Sequence, residues 1–237
     1  MLYFTLLIFF SNLTLPDISQ AKHVSAYTLK ISEPSDICYD AESKSFYMVS
    51  DNGYLYEPTL EGKIVRKAPG RGLDYEAVCI QDSMLIVVEE MSRKLIFYAK
   101  SDLHIIKSVR IPYSGARNKG FEAIVYVPST KQIILGCEKD QAQLVFLNAT
   151  TLQVENEIEI KKISDISAIT YYNNNLYVLS DEDREVRIFD VQTMQVKSRY
   201  KVNVLNPEGI CFADDKSFIL SDDLQKMFVY EAKSLMP

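Results

Sequence analysis

The sequence has no tryptophan, only two histidines and only eight glycines in 237 residues. His23 lies near the N-terminus and His104 opens an apolar run. Neither is placed to serve a nucleophile or a zinc ion, which argues against Ser-His-Asp hydrolysis and histidine-based metal catalysis. G-x-S-x-G, the P-loop and the glycine pattern of dinucleotide-binding folds are all absent. Net charge is −6, and no cluster of Lys and Arg is dense enough to follow a phosphate backbone, so nucleic acid is not an expected partner. No stretch keeps a helical period over a useful length.

Long hydrophobic runs are also missing. The longest, MLYFTLLIFF, is ten residues, against the roughly 20 needed to span a bilayer. Polar residues and Pro16 follow it. Ser19 and Ala21 are small residues that suit signal-peptidase cleavage after Ala21. The expected layout is a signal peptide over residues 1–21 and one domain over residues 22–237, secreted or periplasmic, with no transmembrane segment after cleavage. The rival is an uncleaved anchor, since the run has no Lys or Arg before it. A chain of this length suffices for one sizeable core, and a monomer is expected.

What the sequence does contain is a repeat. Similar text starts at Ser35 (SDICYD), Glu76 (EAVCIQ), Glu122 (EAIVYV), Ser167 (SAITYY) and Glu208 (EGICFA), at intervals of 41, 46, 45 and 41 residues. Each anchor opens three apolar runs, for example ICF, SFILSD and KMFVYE after Glu208. A weaker, alternating run, such as KIVRKA or VENEIEI, precedes the next anchor. Four short β-branched and aromatic runs per repeat read as four strands. A repeat near 43 residues holding four strands is a propeller blade. The fold class is therefore all-β, a β-propeller of five four-stranded blades; six blades would need a further repeat that is not found.

The fifth repeat has room for only three strands. SAYTLKISEPS (25–35) and SRYKVNVLNPE (198–208) share the pattern S-x-Y-x-[LV]-x-[IV]-x-x-P-anchor. The N-terminal strand is thus expected to complete the last blade and close the ring, leaving no open edge at the seam. Cys38, Cys79 and Cys211 each fall three residues after an anchor, where Val125 and Thr170 stand in the other repeats. That is a buried position accepting a small residue, so free cysteines are expected. Cys38 and Cys211, on adjacent blades, are the pair that would meet if a disulfide formed.

Anchors begin first strands, and Asp51, Glu89, Glu138, Asp181 and Asp222 end second strands. Antiparallel neighbours put both sets on one face of the disc, near the channel. The candidate cation ligands are Glu76, Glu122 and Glu208, with Asp51, Glu138, Asp181 and Asp222. Hard oxygen ligands converging on a mouth suit Ca²⁺ or Mg²⁺, and Ca²⁺ is the expected cofactor. For the second-strand acids the competing role is turn structure through nearby backbone N–H groups. Loops 69–76 and 112–122 bring Arg71, Arg117 and Lys119 to the same face, as candidate contacts for an anionic ligand or as solvated loop charge.

The anchors in DYEAVCI, KGFEAIVY and NPEGICFA, with second strands ending in Ser-Asp or Glu, resemble the SdiA-regulated family over about residues 24–231. That resemblance implies a bacterial exported β-propeller, related to esterase-like and phytase-like propellers, with Ca²⁺ as a ligand and no well-defined reaction. Ser35 and Ser167 depart from a fully acidic ring. The expected function is a binding platform holding a divalent cation or small ligand at the channel mouth. The alternative is a metal-dependent hydrolase, phosphoesterase/phytase-like or lactonase-like, in which a channel Glu activates water.

Overall fold

A computed structural model describes residues 15–112, 120–137 and 142–237. Residues 1–14, within the expected signal peptide, and three predicted site residues, Arg117, Lys119 and Glu138, lie outside them. The chain begins with β1 (Ile18–Gln20) and β2 (Ser25–Thr28), then builds five antiparallel blades. The first blade is β3 (Pro34–Asp40), β4 (Ser45–Ser50), β5 (Tyr54–Pro58) and β6 (Ile64–Lys67). The second is β7 (Tyr75–Gln81), β8 (Met84–Glu89), β9 (Lys94–Ala99) and β10 (Ile105–Arg110). The third is β11 (Phe121–Val127), β12 (Gln132–Cys137), β13 (Gln143–Asn148) and β14 (Val154–Glu159). The fourth is β15 (Ala168–Tyr172), β16 (Asn175–Ser180), β17 (Glu185–Asp190) and β18 (Val196–Lys201). The fifth has β19 (Pro207–Ala213), β20 (Lys216–Ser221) and β21 (Lys226–Glu231), and a 3₁₀ turn over Ala232–Leu235 follows.

The fifth blade takes its fourth strand from the other end of the chain. β2 pairs antiparallel with β21, Ser25 opposite Val229 and Thr28 opposite Lys226. The ring is closed as the shared pattern around Tyr27 and Tyr200 predicts, and it has five blades, not six. One addition was not predicted. β1 pairs in parallel with β18, so the fourth blade has five strands. The strand itself is exposed, but Ala21 after it is buried beside Val202 and Leu235. Cleavage after Ala21 would remove β1 and leave a four-stranded blade like the others.

Burial follows the radial order of strands. The middle strands are almost wholly buried, whereas β10 and β14 at the perimeter are mostly exposed. Apolar residues of neighbouring sheets interdigitate between the blades, forming separate cores around the ring. The cysteines fit this scheme. All four are free. Cys79 packs among residues of the second and third blades and Cys211 among those of the fifth and first, so they fill gaps in different cores.

Two features of the inner strands position the site. In four blades the strand pairing slips by one residue at the anchor: Pro34 pairs with Ser50 and Asp36 with Val49, skipping Ser35. The same slip skips Glu76, Glu122 and Glu208. Each anchor is the extra residue of a β-bulge, which bends the strand and re-aims one side chain. The residue after the anchor is Ala77, Ala123, Ala168 or Gly209 in four blades, because inner strands crowd together there. A Cβ on Gly209 would stand 3.0 Å from the Asp36 Cα. The first blade carries Asp36 at this position, facing that glycine.

Candidate functional site

The bulges send the anchors into the mouth of the central channel. Ser35, Asp51, Glu76, Glu122, Ser167, Asp181, Glu208 and Asp222 line one bowl of about 160 Å³. Every blade contributes, and no Lys, Arg or His is among these residues. Six of the seven acids selected from the sequence are therefore brought together, the seventh being Glu138. Arg71 remains at the edge: its Nε donates to the Asn52 carbonyl at 2.7 Å, and its guanidinium lies over Tyr54.

Crowding of like charges out of bulk water has the expected effect on the carboxyls. Burial, then Asp51, Asp74, Glu90 and Glu208 around it, push Glu76 up to about 9. Burial, then Asp181, Asp51 and Asp222, push Glu208 up to about 8. Asp222 is raised as well, chiefly by burial. Both glutamate shifts favour the protonated carboxyl at neutral pH.

At Asp181 and Asp222 the turn is engaged by the preceding serine. The Oγ of Ser180 accepts from Asp183 N at 3.0 Å, and the Oγ of Ser221 from Leu224 N at 3.4 Å. The preceding serine thus serves the turn, while Asp181 and Asp222 line the bowl. Asp51 accepts a hydrogen bond from Ser35 Oγ, so a serine anchor still supports a carboxylate.

One register correction follows. Asp51, Asp181 and Asp222 come one residue after the last residue of β4, β16 and β20, and Glu90 has that place after β8. Glu89 instead matches the serines: it is buried and accepts from Leu73 N at 3.0 Å and from Ser92 Oγ. Of the adjacent pair Glu89-Glu90, the second belongs with the channel acids. Carboxylate oxygens of Asp74, Glu76 and Glu90 all lie within 4.8 Å of one another. One ion with bonds of about 2.4 Å could touch all three. Asp74 was not legible in the sequence; it sits in the loop before β7 in a left-handed conformation, φ 58°.

Two more acids were missed. The serine-anchored blades each keep a buried carboxyl close by: Asp36 directly after Ser35, and Asp165 two residues before Ser167. Asp165 holds the turn after β16, accepting from Ser180 Oγ, from Asp181 N at 3.0 Å and from Glu182 N at 3.3 Å. Burial and the neighbouring Asp181 raise it to about 7. Asp36 is 2 % exposed. Its Oδ2 accepts from Val78 N, on the inner strand of the next blade, at 2.9 Å, and its Oδ1 has no partner. Burial raises it far above the usual carboxylate range, and Glu208 adds to the shift.

The family model for SdiA-regulated proteins matches residues 18–216. The chain belongs to the SdiA-regulated family. Among solved structures this SdiA-regulated propeller is similar to the glutaminyl cyclase of Myxococcus xanthus, with a TM-score of 0.74 and 15 % identity, covering 90 % of this chain and 97 % of that one. It is also similar to the β-propeller domain of Myceliophteria thermophila Cps50 (Swd1), with a TM-score of 0.58 and 12 % identity, covering 87 % and 99 %. At such identities the likeness is one of fold alone. No curated protein matches in sequence. Among the described residues no helix is long and apolar enough to cross a membrane.

Proposed function

We propose that this SdiA-regulated propeller is an exported binding platform whose channel mouth holds a divalent cation, Ca²⁺ first. The observation that carries the reading is the convergence of six carboxyl groups from all five blades on one bowl that, among the described residues, is lined by no cationic side chain. The donor set is all oxygen, the chemistry that Ca²⁺ and Mg²⁺ take. Buried acids raised to about 8 and 9 are costly to ionise alone. A divalent cation among them would offset that cost and displace their protons. Glu76 belongs both to the bowl and to the Asp74–Glu76–Glu90 group, which makes it the central ligand.

The test is calorimetric titration of the chelator-treated protein with Ca²⁺ and Mg²⁺ at pH 7.5 in two buffers of different ionisation enthalpy. The reading expects saturable binding with proton release, lost in Glu76→Gln. No saturable binding of either ion would defeat it.

A metal-dependent hydrolase is the second reading, and one observation favours it. Glu208 is raised to about 8, within reach of the range in which a carboxyl can give and take protons near neutral pH. The glutaminyl cyclase neighbour, an enzyme by name, sets a precedent for chemistry on this fold but does not assign a reaction here. The discriminating screen uses phosphomonoesters, phytate and lactones, with Ca²⁺ and after chelation. Turnover abolished by Glu122→Gln would favour catalysis, and no turnover on any of them the platform.

A further inference from the structure

We propose that folding and processing exclude each other at the Ala21–Lys22 bond: once the fourth blade closes, β1 shields the bond that export is expected to cut. The proposal rests on the export half of the reading above and not on the cation. The expected cleavage hydrolyses one peptide bond, adding water to leave a carboxylate on Ala21 and an amine on Lys22. Peptidases act on extended, accessible segments whose backbone they pair with themselves. A signal peptidase also reads the small residues Ser19 and Ala21 just before the bond.

The folded chain holds this segment against β18. Ser19 stands opposite Tyr200 and Gln20 opposite Lys201 in the parallel pairing. Ala21 N donates to the Lys201 carbonyl at 2.9 Å. The Ala21 carbonyl, the group that cleavage must attack, accepts from Gln20 Nε2 at 3.0 Å, and the same amide reaches the Lys201 carbonyl at 3.1 Å. The Ala21 side chain is 2 % exposed and belongs to the core that also contains Val202, Val204 and Leu235. A peptidase subsite cannot receive a side chain that the fold has buried. Cutting the folded chain therefore requires β1 and Ala21 to come away first.

The order of events follows from the distance along the chain. Gln20 and Lys201 are 181 positions apart, and Leu235 comes later still. The shield cannot form until nearly the whole chain is present, whereas residues 19–22 are among the first made. A chain that meets the peptidase during export is cut before the shield exists. A chain that folds first keeps β1 and, with it, the apolar run MLYFTLLIFF. β18 suits both outcomes. Its Lys197, Arg199 and Lys201 place along it the charges that keep an uncovered edge from pairing with other chains. Among the described residues no other outer strand, neither β6, β10, β14 nor β2, has a strand added to it.

The test treats the folded full-length chain, residues 1–237, with purified signal peptidase in detergent and follows the loss of residues 1–21 by intact mass. The open form for comparison is full-length Leu235→Asp, which puts a carboxylate into the core that holds Ala21 and keeps the shield from closing whether or not the remaining blades form. The folded wild type is expected to be cut at least about a hundredfold more slowly than the open form, because cleavage of a native chain tracks the population of its opened state. Hydrogen exchange of the uncut wild type is a second measurement, and the Ala21 amide should be protected. Equal cleavage rates, or an Ala21 amide that exchanges as fast as in unfolded chain, would overturn the proposal. No cleavage of the open form would overturn it as well, by removing the cleavage site, and would leave the cation reading standing.

Discussion

The carboxyl of Asp36 reaches from the first blade to the second, where its Oδ2 accepts the Val78 amide at 2.9 Å. Inner strands have no fifth strand to satisfy their channel edge, so this side chain does the work of a missing backbone partner. Asp36→Asn keeps an oxygen acceptor and is expected to shift stability by less than about 1 kcal/mol. Asp36→Ala leaves the Val78 amide buried and unpaired, and should cost about 1–3 kcal/mol. Urea unfolding of both variants measures the difference. Equal loss in the two would mean that packing, not the hydrogen bond, holds the seam.

Facing Asp36 across the closure is Gly209. A methyl there would stand 3.0 Å from the Asp36 Cα and 3.1 Å from the Ile37 nitrogen, both backbone atoms that cannot swing aside. Gly209→Ala should therefore destabilise the ring by about 1–3 kcal/mol, the usual cost of overpacking. Alanine is native at the equivalent positions 77, 123 and 168. A neutral Gly209→Ala in thermal unfolding would show that the seam relaxes as freely as the other blade contacts.

The raised carboxyls fix the sign of the pH dependence. Glu76 and Glu208 rise from an ordinary value of 4.5 to about 9 and about 8 in the folded, cation-free chain. Below about pH 4.5 both folded and unfolded chains carry these protons, and their contribution to stability is fully present. As pH rises, the unfolded chain releases the protons first, so stability falls until the folded values are passed. Between pH 6 and 9 the unfolding midpoint of the chelator-treated protein should decline. The Glu76→Gln/Glu208→Gln variant should decline less. A wild-type midpoint that rises over this range would contradict the assignment.

The N-terminus gives a covalent prediction. Export with cleavage after Ala21 removes β1, the exposed fifth strand of the fourth blade, and leaves the ring closed by β2. Intact-mass measurement of the native protein should find a chain beginning at Lys22. A mass that includes Ile18 would mean that β1 stays with the blade.

Much of this was legible because propeller geometry repeats itself. The 41- to 46-residue spacing of anchors gave the blades, and the shared text around Tyr27 and Tyr200 gave the closure. The bowl followed from strand direction alone: first-strand starts and second-strand ends must meet on one face. What stayed hidden lay outside the apolar runs that mark the repeat. The channel acid of the second blade was placed one residue early because Glu89 stands where three other blades have a serine, Ser50, Ser180 and Ser221. Asp74 joins the group through a left-handed loop residue, which no strand pattern marks. Asp165 holds the place two before its anchor, as Glu33 and Asp74 do in other repeats, but that place precedes the apolar runs on which the repeats were aligned; Asp36 has no acidic counterpart, since alanine or glycine follows the other anchors. The bulges escaped notice because one extra residue leaves the apolar runs unchanged.

The central claim is that the bowl takes a divalent cation through its anchor glutamates. Binding to the folded chain alone stabilises it by mass action, about 2.7 kcal/mol at a free concentration of 100 times Kd. The direct measurement is thermal unfolding at pH 7.5 after chelation and then with millimolar Ca²⁺ or Mg²⁺, for the wild type, Glu208→Gln and Asp222→Asn. The account predicts a Ca²⁺-dependent rise in midpoint that Glu208→Gln largely removes and Asp222→Asn only reduces. A wild-type midpoint unmoved by either ion would contradict it, leaving the anchors as hydrogen-bonding residues of the channel.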